Sequence, residues 1–462
     1  MLRTGFPNRP FLAGIKQHPA RWQRSAVCGL GLTLLMSACG DRRKTPEEPA
    51  ASASKQGTSA HGKTAKSSEP PLPDTMPRGL LLSLAHFGGE RGTKPLPARV
   101  ELLWRARGQW QRRRLDDEAS NVFHKALSYR SKALGHGVLT LGGSKAAVKF
   151  WRWQDERFVA QTLWQASFGG KFDRMRDAEL FALDDDKDAE IAVGTHDQGV
   201  VALLDPDAKG RFRVRELDKQ KDTFIHEIEV GDLNGDGKPE IYATPSEPNR
   251  IGAAAQRGRV VRYDAARNFQ PEVVAELGNR HAKEILVSDV DGDKRDELYV
   301  VVEALTEGKD PNVRIVEPVE IRRFDADTPA DAGIAIATVP DRLCRFLTAG
   351  DLDGDGKKEL VAAAFRSGVW WLKPGKDAKK AWSRERIDSD SAGFEHAALL
   401  TDLDGDGREE LYVAADEQHE LRRYVWHHGR LRRSVVLTWP KKANVLTWNL
   451  TAFDHAALFK DK

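Results

Sequence analysis

The stretch DLDGDGKKELVAAAF, Asp351 to Phe365, alternates acidic and glycine positions and then runs into small or β-branched apolar residues. Aspartate and glycine at this density favour a tight turn, and the run that follows has strand character without a helical period. Working outward, the phrase recurs as ALDDDKDAE (Ala182 to Glu190), DLNGDGKPE (Asp232 to Glu240), DVDGDKRDE (Asp289 to Glu297) and DLDGDGREE (Asp402 to Glu410). Successive starts lie 50, 57, 62 and 51 residues apart. Periods of this size indicate a solenoid, a propeller or an array of small units.

What flanks the phrase decides among these. An apolar stretch precedes it, such as Ile225 to Val230 or Phe346 to Ala349, and EIYAT, ELYVVV, ELVAAA or ELYVAA follows. Two further strand-like runs complete a unit: GVWWL and WSRERI in one, HELRRYVW and RRSVVLTW in the next. Four strands in roughly 50 residues, with turns marked by Gly, Pro, Asp and Asn, make one propeller blade. A unit without the acidic phrase, Val122 to Trp164, precedes the five. The chain ends supply Gly79 to Phe87, Arg99 to Arg107, Gln109 to Leu115 and Val445 to Phe453. The expectation is an all-β propeller of about seven four-stranded blades, six or eight being compatible with the same pattern. It spans 77–457, with 458–462 as a tail, and is closed by pairing of the two chain ends, which leaves no open edge.

Phrase and strand context together resemble the FG-GAP/VCBS repeat of integrin α-subunit propellers and many bacterial surface proteins, over Val122 to Pro440. The resemblance implies the fold and leaves function open, because the family spans adhesion modules, lyase-associated domains and lipoproteins.

Carboxylates at the first, third, fifth and ninth positions of a glycine-rich loop present several hard oxygens to one point, which suits Ca²⁺ at about 2.3 to 2.6 Å. The sets are Asp232, Asn234, Asp236, Glu240; Asp289, Asp291, Asp293, Glu297; Asp351, Asp353, Asp355, Glu359; and Asp402, Asp404, Asp406, Glu410. In the second of these Lys294 replaces the sixth-position Gly, and in the earliest phrase Ala182 leaves only Asp184, Asp186 and Glu190. The loops are not EF-hands, since strands flank them and no glutamate stands at the twelfth position. Two like charges 4 Å apart cost about 1 kcal/mol in water and about 4 kcal/mol at an effective dielectric of 20, so repeated clustering calls for a cation. About three or four structural Ca²⁺ ions, stapling the first two strands of their blades, are expected.

Six residues before the first loop position the five units carry Arg176, His226, Lys283, Arg345 and His396. Equivalent positions of a propeller converge on its central channel, so these five form a candidate ring for an anionic ligand. Trp370, Trp371, Trp426 and Trp439 are candidates either for stacking on sugars or for packing between blades.

Positive charges up to Arg24 precede an apolar run, Ser25 to Ala38, shorter than the roughly 20 residues a membrane span needs. Residues 1–38 are therefore expected to be a secretory signal. The run ends LMSAC, which resembles the lipobox of bacterial lipoproteins and implies diacylglycerol on Cys39, with Met36 where that pattern usually has Leu. Gly40 in place of Asp points to the outer membrane rather than the inner. Residues 39–76, rich in Ala, Ser, Lys, Pro and Glu, have almost no large apolar side chain to offset ordering and are expected to be a disordered tether.

Composition narrows the function classes. The 72 Lys+Arg nearly cancel the 69 Asp+Glu, so the net charge of +3 provides no global field for nucleic acid. Of three cysteines, Cys28 and Cys39 fall in the targeting region, and Cys344 is left without a partner on an apolar stretch. There is no G-x-S-x-G, P-loop or H-E-x-x-H. The leading reading is a non-catalytic module, displayed at the cell envelope on a lipid anchor, that recognises a protein or glycan. The rival is a carbohydrate-active lyase or hydrolase using carboxylates of the insertions Pro245 to Gly258 or Glu303 to Pro318 (Glu247, Glu303, Glu307, Asp310), and a third is a purely structural envelope protein.

Overall fold

The computed structural model describes residues 72–460, apart from 90, 91, 93, 170–172, 185–187, 197, 248–255, 309–311 and 442–443. The signal segment, Cys39, the tether up to 71, Asp186 and Asp310 lie outside the described residues.

Seven four-stranded antiparallel sheets are arranged as the blades of a propeller. Their innermost strands run in chain order through blades two to seven: Phe123–Ser131, Met175–Phe181, Phe224–Gly231, Ala282–Ser288, Cys344–Gly350 and Ala398–Thr401. The first blade takes its innermost strand, Asn444–Asp454, from the far end of the chain. It pairs antiparallel with Arg78–Gly88, which continues to Ala98–Ala106 and Gln109–Asp117. Each innermost strand touches the next around the channel, and Asn444–Asp454 meets Phe123–Ser131 to complete the circle. A short hairpin, Leu305–Glu307 with Arg314–Glu317, is inserted in the fifth blade.

Burial follows strand position. The second strands, such as Glu297–Val302, Glu359–Ala364 and Glu410–Ala415, are buried at every residue, whereas the outer strand Ser383–Asp388 is exposed over its first four. A strand covered on both faces needs apolar residues at every step, which is why ELYVVV and ELVAAA read as continuous runs. The core is distributed between neighbouring blades: Val301, Val319 and Ile321 of the fifth, for example, pack on Leu347, Leu360 and Leu372 of the sixth.

Both ends of the chain are tied in. Met76 is fully buried and Leu72 packs on the same cluster, so the ordered body begins ahead of residue 77. At the other end, residues 458–460 are not a free tail. Leu458 is buried, and Phe459 packs against Trp104 and Trp153 after the short helix His455–Leu458.

Candidate metal loops and channel mouth

Each acidic phrase forms the connection from the innermost to the second strand of its blade, on one end of the propeller. The first aspartate accepts backbone N–H bonds from inside its own loop: Asp351 from Asp355 and Gly356 (3.0 and 2.8 Å), Asp402 from Gly405 and Gly407 (2.7 and 3.0 Å). The fifth-position carboxylate accepts from the seventh residue, as Asp355 does from Lys357 at 2.9 Å. The ninth-position glutamate is buried and accepts from the second residue, Leu352 to Glu359 at 3.2 Å and Leu403 to Glu410 at 3.3 Å. The sixth position turns through positive φ, 85° at Gly356 and 72° at Lys294. The lysine is thus held in a region that favours glycine, and its loop closes with Lys294 N–H to Asp289 at 3.0 Å.

Carboxylate oxygens lie within 4.8 Å of one another in three loops among the described residues, and these groups could hold a metal ion. They are Asp289, Asp291, Asp293, Glu297; Asp351, Asp353, Asp355, Glu359; and Asp402, Asp404, Asp406, Glu410. In the fourth set Asn234 turns its amide nitrogen to Glu240. In the earliest phrase Glu190 still accepts from Leu183 at 2.7 Å, so the buried glutamate closes the turn even where the first aspartate is lacking. Burial, more than the neighbouring carboxylates, pushes Glu297, Glu359 and Glu410 up to about 7.

A basic side chain from the third strand of each blade reaches the same loops. Arg323 meets Asp291 at 2.7 Å and Glu297 at 3.3 Å, Arg423 meets Glu410 at 3.1 Å and Asp404 at 3.4 Å, and Lys373 meets Asp353 at 2.8 Å. Sequence reasoning missed these partners because their spacing from the phrase varies with the length of the intervening hairpin.

The opposite ends of the innermost strands form the other mouth of the channel. In the second to sixth blades the innermost strand bulges, and in the third to sixth the bulge falls where the candidate ring residue stands. Register shifts fall between Phe123 and Ala126, Ile225 and Ile228, Ala282 and Glu284, and Cys344 and Phe346, and Arg176 is skipped opposite Gly194 and Thr195. A sixth bulge, opposite Ser83 and Leu84, leaves out Trp448. A bulge frees one residue from the ladder and re-aims its side chain.

His226, Lys283 and Arg345 gather at this mouth, buried rather than solvated, with the part-buried Arg176 beside them. His396 does not join them. The innermost strand of its blade begins only at Ala398, and at φ 59° the imidazole turns back between blades, Nδ1 against the Ala364 carbonyl and Nε2 2.7 Å from Ser391 Oγ. Its neighbour Glu395 takes the place, which reverses the sign expected there. Glu395 meets Arg345 at 2.8 Å and Arg176 at 3.7 Å, and Glu303 meets His281 at 3.1 Å and Arg345 at 3.3 Å. Burial would raise Glu303, but the Arg345 guanidinium and His281 bring it down to about 2. Burial holds His124, His196 and His226 well below the usual histidine range, so they are neutral at pH 7.

Further down the channel, the residues after the ring positions form a second group. Lys125 is paired with Asp177 at 3.0 Å and with Glu179, and Glu227, Glu229 and Glu284 stand near it, all three pushed well above the usual carboxylate range chiefly by burial. Asp177, Glu227 and Glu284 each directly follow a ring residue in the sequence, a signal that reading one position alone overlooks.

The remaining candidates are structural. Trp370, Trp371 and Trp439 are buried, and Trp426 packs edge-on to Trp371. Cys344 is fully buried, its thiol raised by that burial. Glu307 is paired with Arg314 at 2.5 Å on the surface.

Residues 351–413 match the FG-GAP-like repeat family. No curated protein matches the chain. Among solved structures, a protein from Lactobacillus plantarum resembles it with a TM-score of 0.50 at 11% identity, over 82% of this chain and 99% of that one. A protein from Bacteroides uniformis, to which a 6-phosphogluconolactonase activity is ascribed, gives 0.48 at 12% identity, over 82% and 100%. At such identities the likeness concerns the fold alone. With the repeated acidic loops and the match over the sixth and seventh blades, the chain is a seven-bladed β-propeller that carries an FG-GAP-like repeat at residues 351–413.

Proposed function

We propose that this protein is a calcium-stabilised, non-catalytic binding module, held at the bacterial envelope by a diacylglycerol on Cys39 and meeting a protein or glycan ligand at a face of the propeller. The observation that carries the calcium part is the convergence of four carboxylates within 4.8 Å in each of three loops. Oxygen-only donors in a flexible, glycine-bearing loop suit Ca²⁺ better than metals that prefer nitrogen or sulfur. Bound there, the ion would hold the innermost strand to the second in its blade and offset the burial that pushes the glutamates up.

The test is thermal unfolding of the full chain in detergent, first with excess chelator and then with calcium returned. A midpoint that climbs by several degrees, with about three ions per chain by metal analysis, supports the reading. A midpoint indifferent to calcium overturns it and reduces the loops to hydrogen-bonded turns.

One observation favours a second reading, a carbohydrate-active enzyme. Asp177 and Glu227 stand near each other in the channel, Glu227 pushed well above the usual carboxylate range by burial first and then by Asp177, and paired carboxyls are the raw material of glycosidic bond cleavage. Against it, Lys125 already occupies Asp177. Depolymerisation of a polysaccharide panel, lost in Glu227→Gln, would favour the enzyme.

A further inference from the structure

Lys283 stands at the channel mouth with only 3% of its surface exposed and, among the described residues, no hydrogen bond or ion pair of its own. The carboxylates that could neutralise it are committed elsewhere: Glu303 to His281 and Arg345, Glu395 to Arg345 and Arg176. Three basic groups therefore face two carboxylates, an excess of one positive charge whenever Lys283 holds its proton. The histidines nearby do not alter the count, because burial keeps His196 and His226 neutral. One of them adds an unmet need, since His196 Nδ1 is buried without a partner and its ring lies 5.3 Å from that of His226.

A buried ammonium with no counter-charge is costly, and a methionine or leucine would fill the same space at no such cost. The bulge between Ala282 and Glu284 nevertheless aims this one into the channel beside two guanidinium groups. Burial first, and then Arg345, bring the Lys283 ammonium down to about 7, and an anion bound beside it would raise it again. An excess of a single charge matches a carboxylate better than a doubly charged phosphate.

We propose that Lys283, flanked by Arg345 and Arg176, binds the carboxylate of a small organic acid or acidic sugar at the channel mouth. This deepens the binding-module reading and rests on it. Lys283 is the direct donor. Arg345 and Arg176 set the field, and their shared hold on Glu395 fixes where that field is centred.

The test is thermal shift and calorimetric titration of the full chain at constant ionic strength, with acetate, glucuronate, neutral glucose and inorganic phosphate as probes. Acetate or glucuronate should bind and raise the midpoint, and glucose should do neither. If acetate responds as well as glucuronate, the source is any small acid; if glucuronate alone responds, it is the acidic sugar. In Lys283→Met the affinity should fall at least tenfold while the ligand-free midpoint rises by about 2 °C. Lys283→Gln, closer in polarity, should lose the same affinity if the methionine variant does not fold. Response to phosphate alone, response to nothing, or carboxylate binding that survives both substitutions overturns the proposal. The calcium titration of the same sample separates the two ideas. A chain that answers to calcium and not to carboxylates loses this site and keeps the metal reading.

Discussion

Arg176 of the third blade and Glu395 of the seventh approach to 3.7 Å, a contact between blades that are not neighbours and that meet only across the channel. Arg345 of the sixth blade shares the same carboxylate at 2.8 Å. One glutamate thus ties three blades together at the axis. In Glu395→Gln two buried guanidinium groups lose their common partner, and breaking such a pair from one side costs about 3–5 kcal/mol. Urea unfolding should show that loss with an unchanged m-value.

Lys283 makes stability depend on pH in a stated direction. Its folded value, about 7, lies below the ordinary lysine value of 10.5, so between these limits the unfolded chain holds the proton more often. Stability then rises with pH across that window, and below it, where both states hold the proton, Lys283 makes no further change. The groups facing Lys283 are Arg345, Arg176, Glu303, Glu395, His226 and His281; Glu303 is brought down to about 2 and burial lowers both histidines, so none of these three titrates in the window. Subtracting the profile of Lys283→Met from that of the parent isolates the effect. A flat difference from pH 7 to 10 would show that Lys283 is not buried as a lone cation.

Arg423 tests whether the third-strand cations stand in for calcium. It is 2% exposed and meets both Asp404 and Glu410. In chelator, Arg423→Met should destabilise by about 3–5 kcal/mol, because two buried carboxylates lose their partner. With saturating calcium the loss should shrink, since the ion supplies the charge. Denaturation of both proteins with and without calcium gives the four values required, and an equal loss in both conditions would mean the arginine and the ion do not act on the same oxygens.

Closure of the circle depends on the last strand. Leu450 lies in Asn444–Asp454, pairs with Leu82 and is 3% exposed in a cluster that joins the first and seventh blades. Leu450→Ala should cost about 2–5 kcal/mol. Val435→Ala, at a residue 48% exposed on an outer strand, should stay within about 0.5 kcal/mol and serves as the control.

The sequence by itself determined the blade, the repeat and the closure. A strand buried on both faces must be apolar at every step, a tight acidic turn must be written in Asp and Gly, and those signals are local, so five phrases, the unit Val122 to Trp164 that lacks one and the leftover strands at the two ends sufficed to count to about seven. The loop carboxylates were legible for the same reason, their spacing being set within nine residues. Only the tertiary structure decided what surrounds them. Arg323, Lys373 and Arg423 reach the loops by strand pairing across hairpins of different lengths. At the channel mouth, bulges choose which side chain faces the axis, and a bulge is a property of two paired strands rather than of either sequence. That is why Glu395, and not His396, completes the ring, and why Lys283 is left as its one cation without a partner among the described residues.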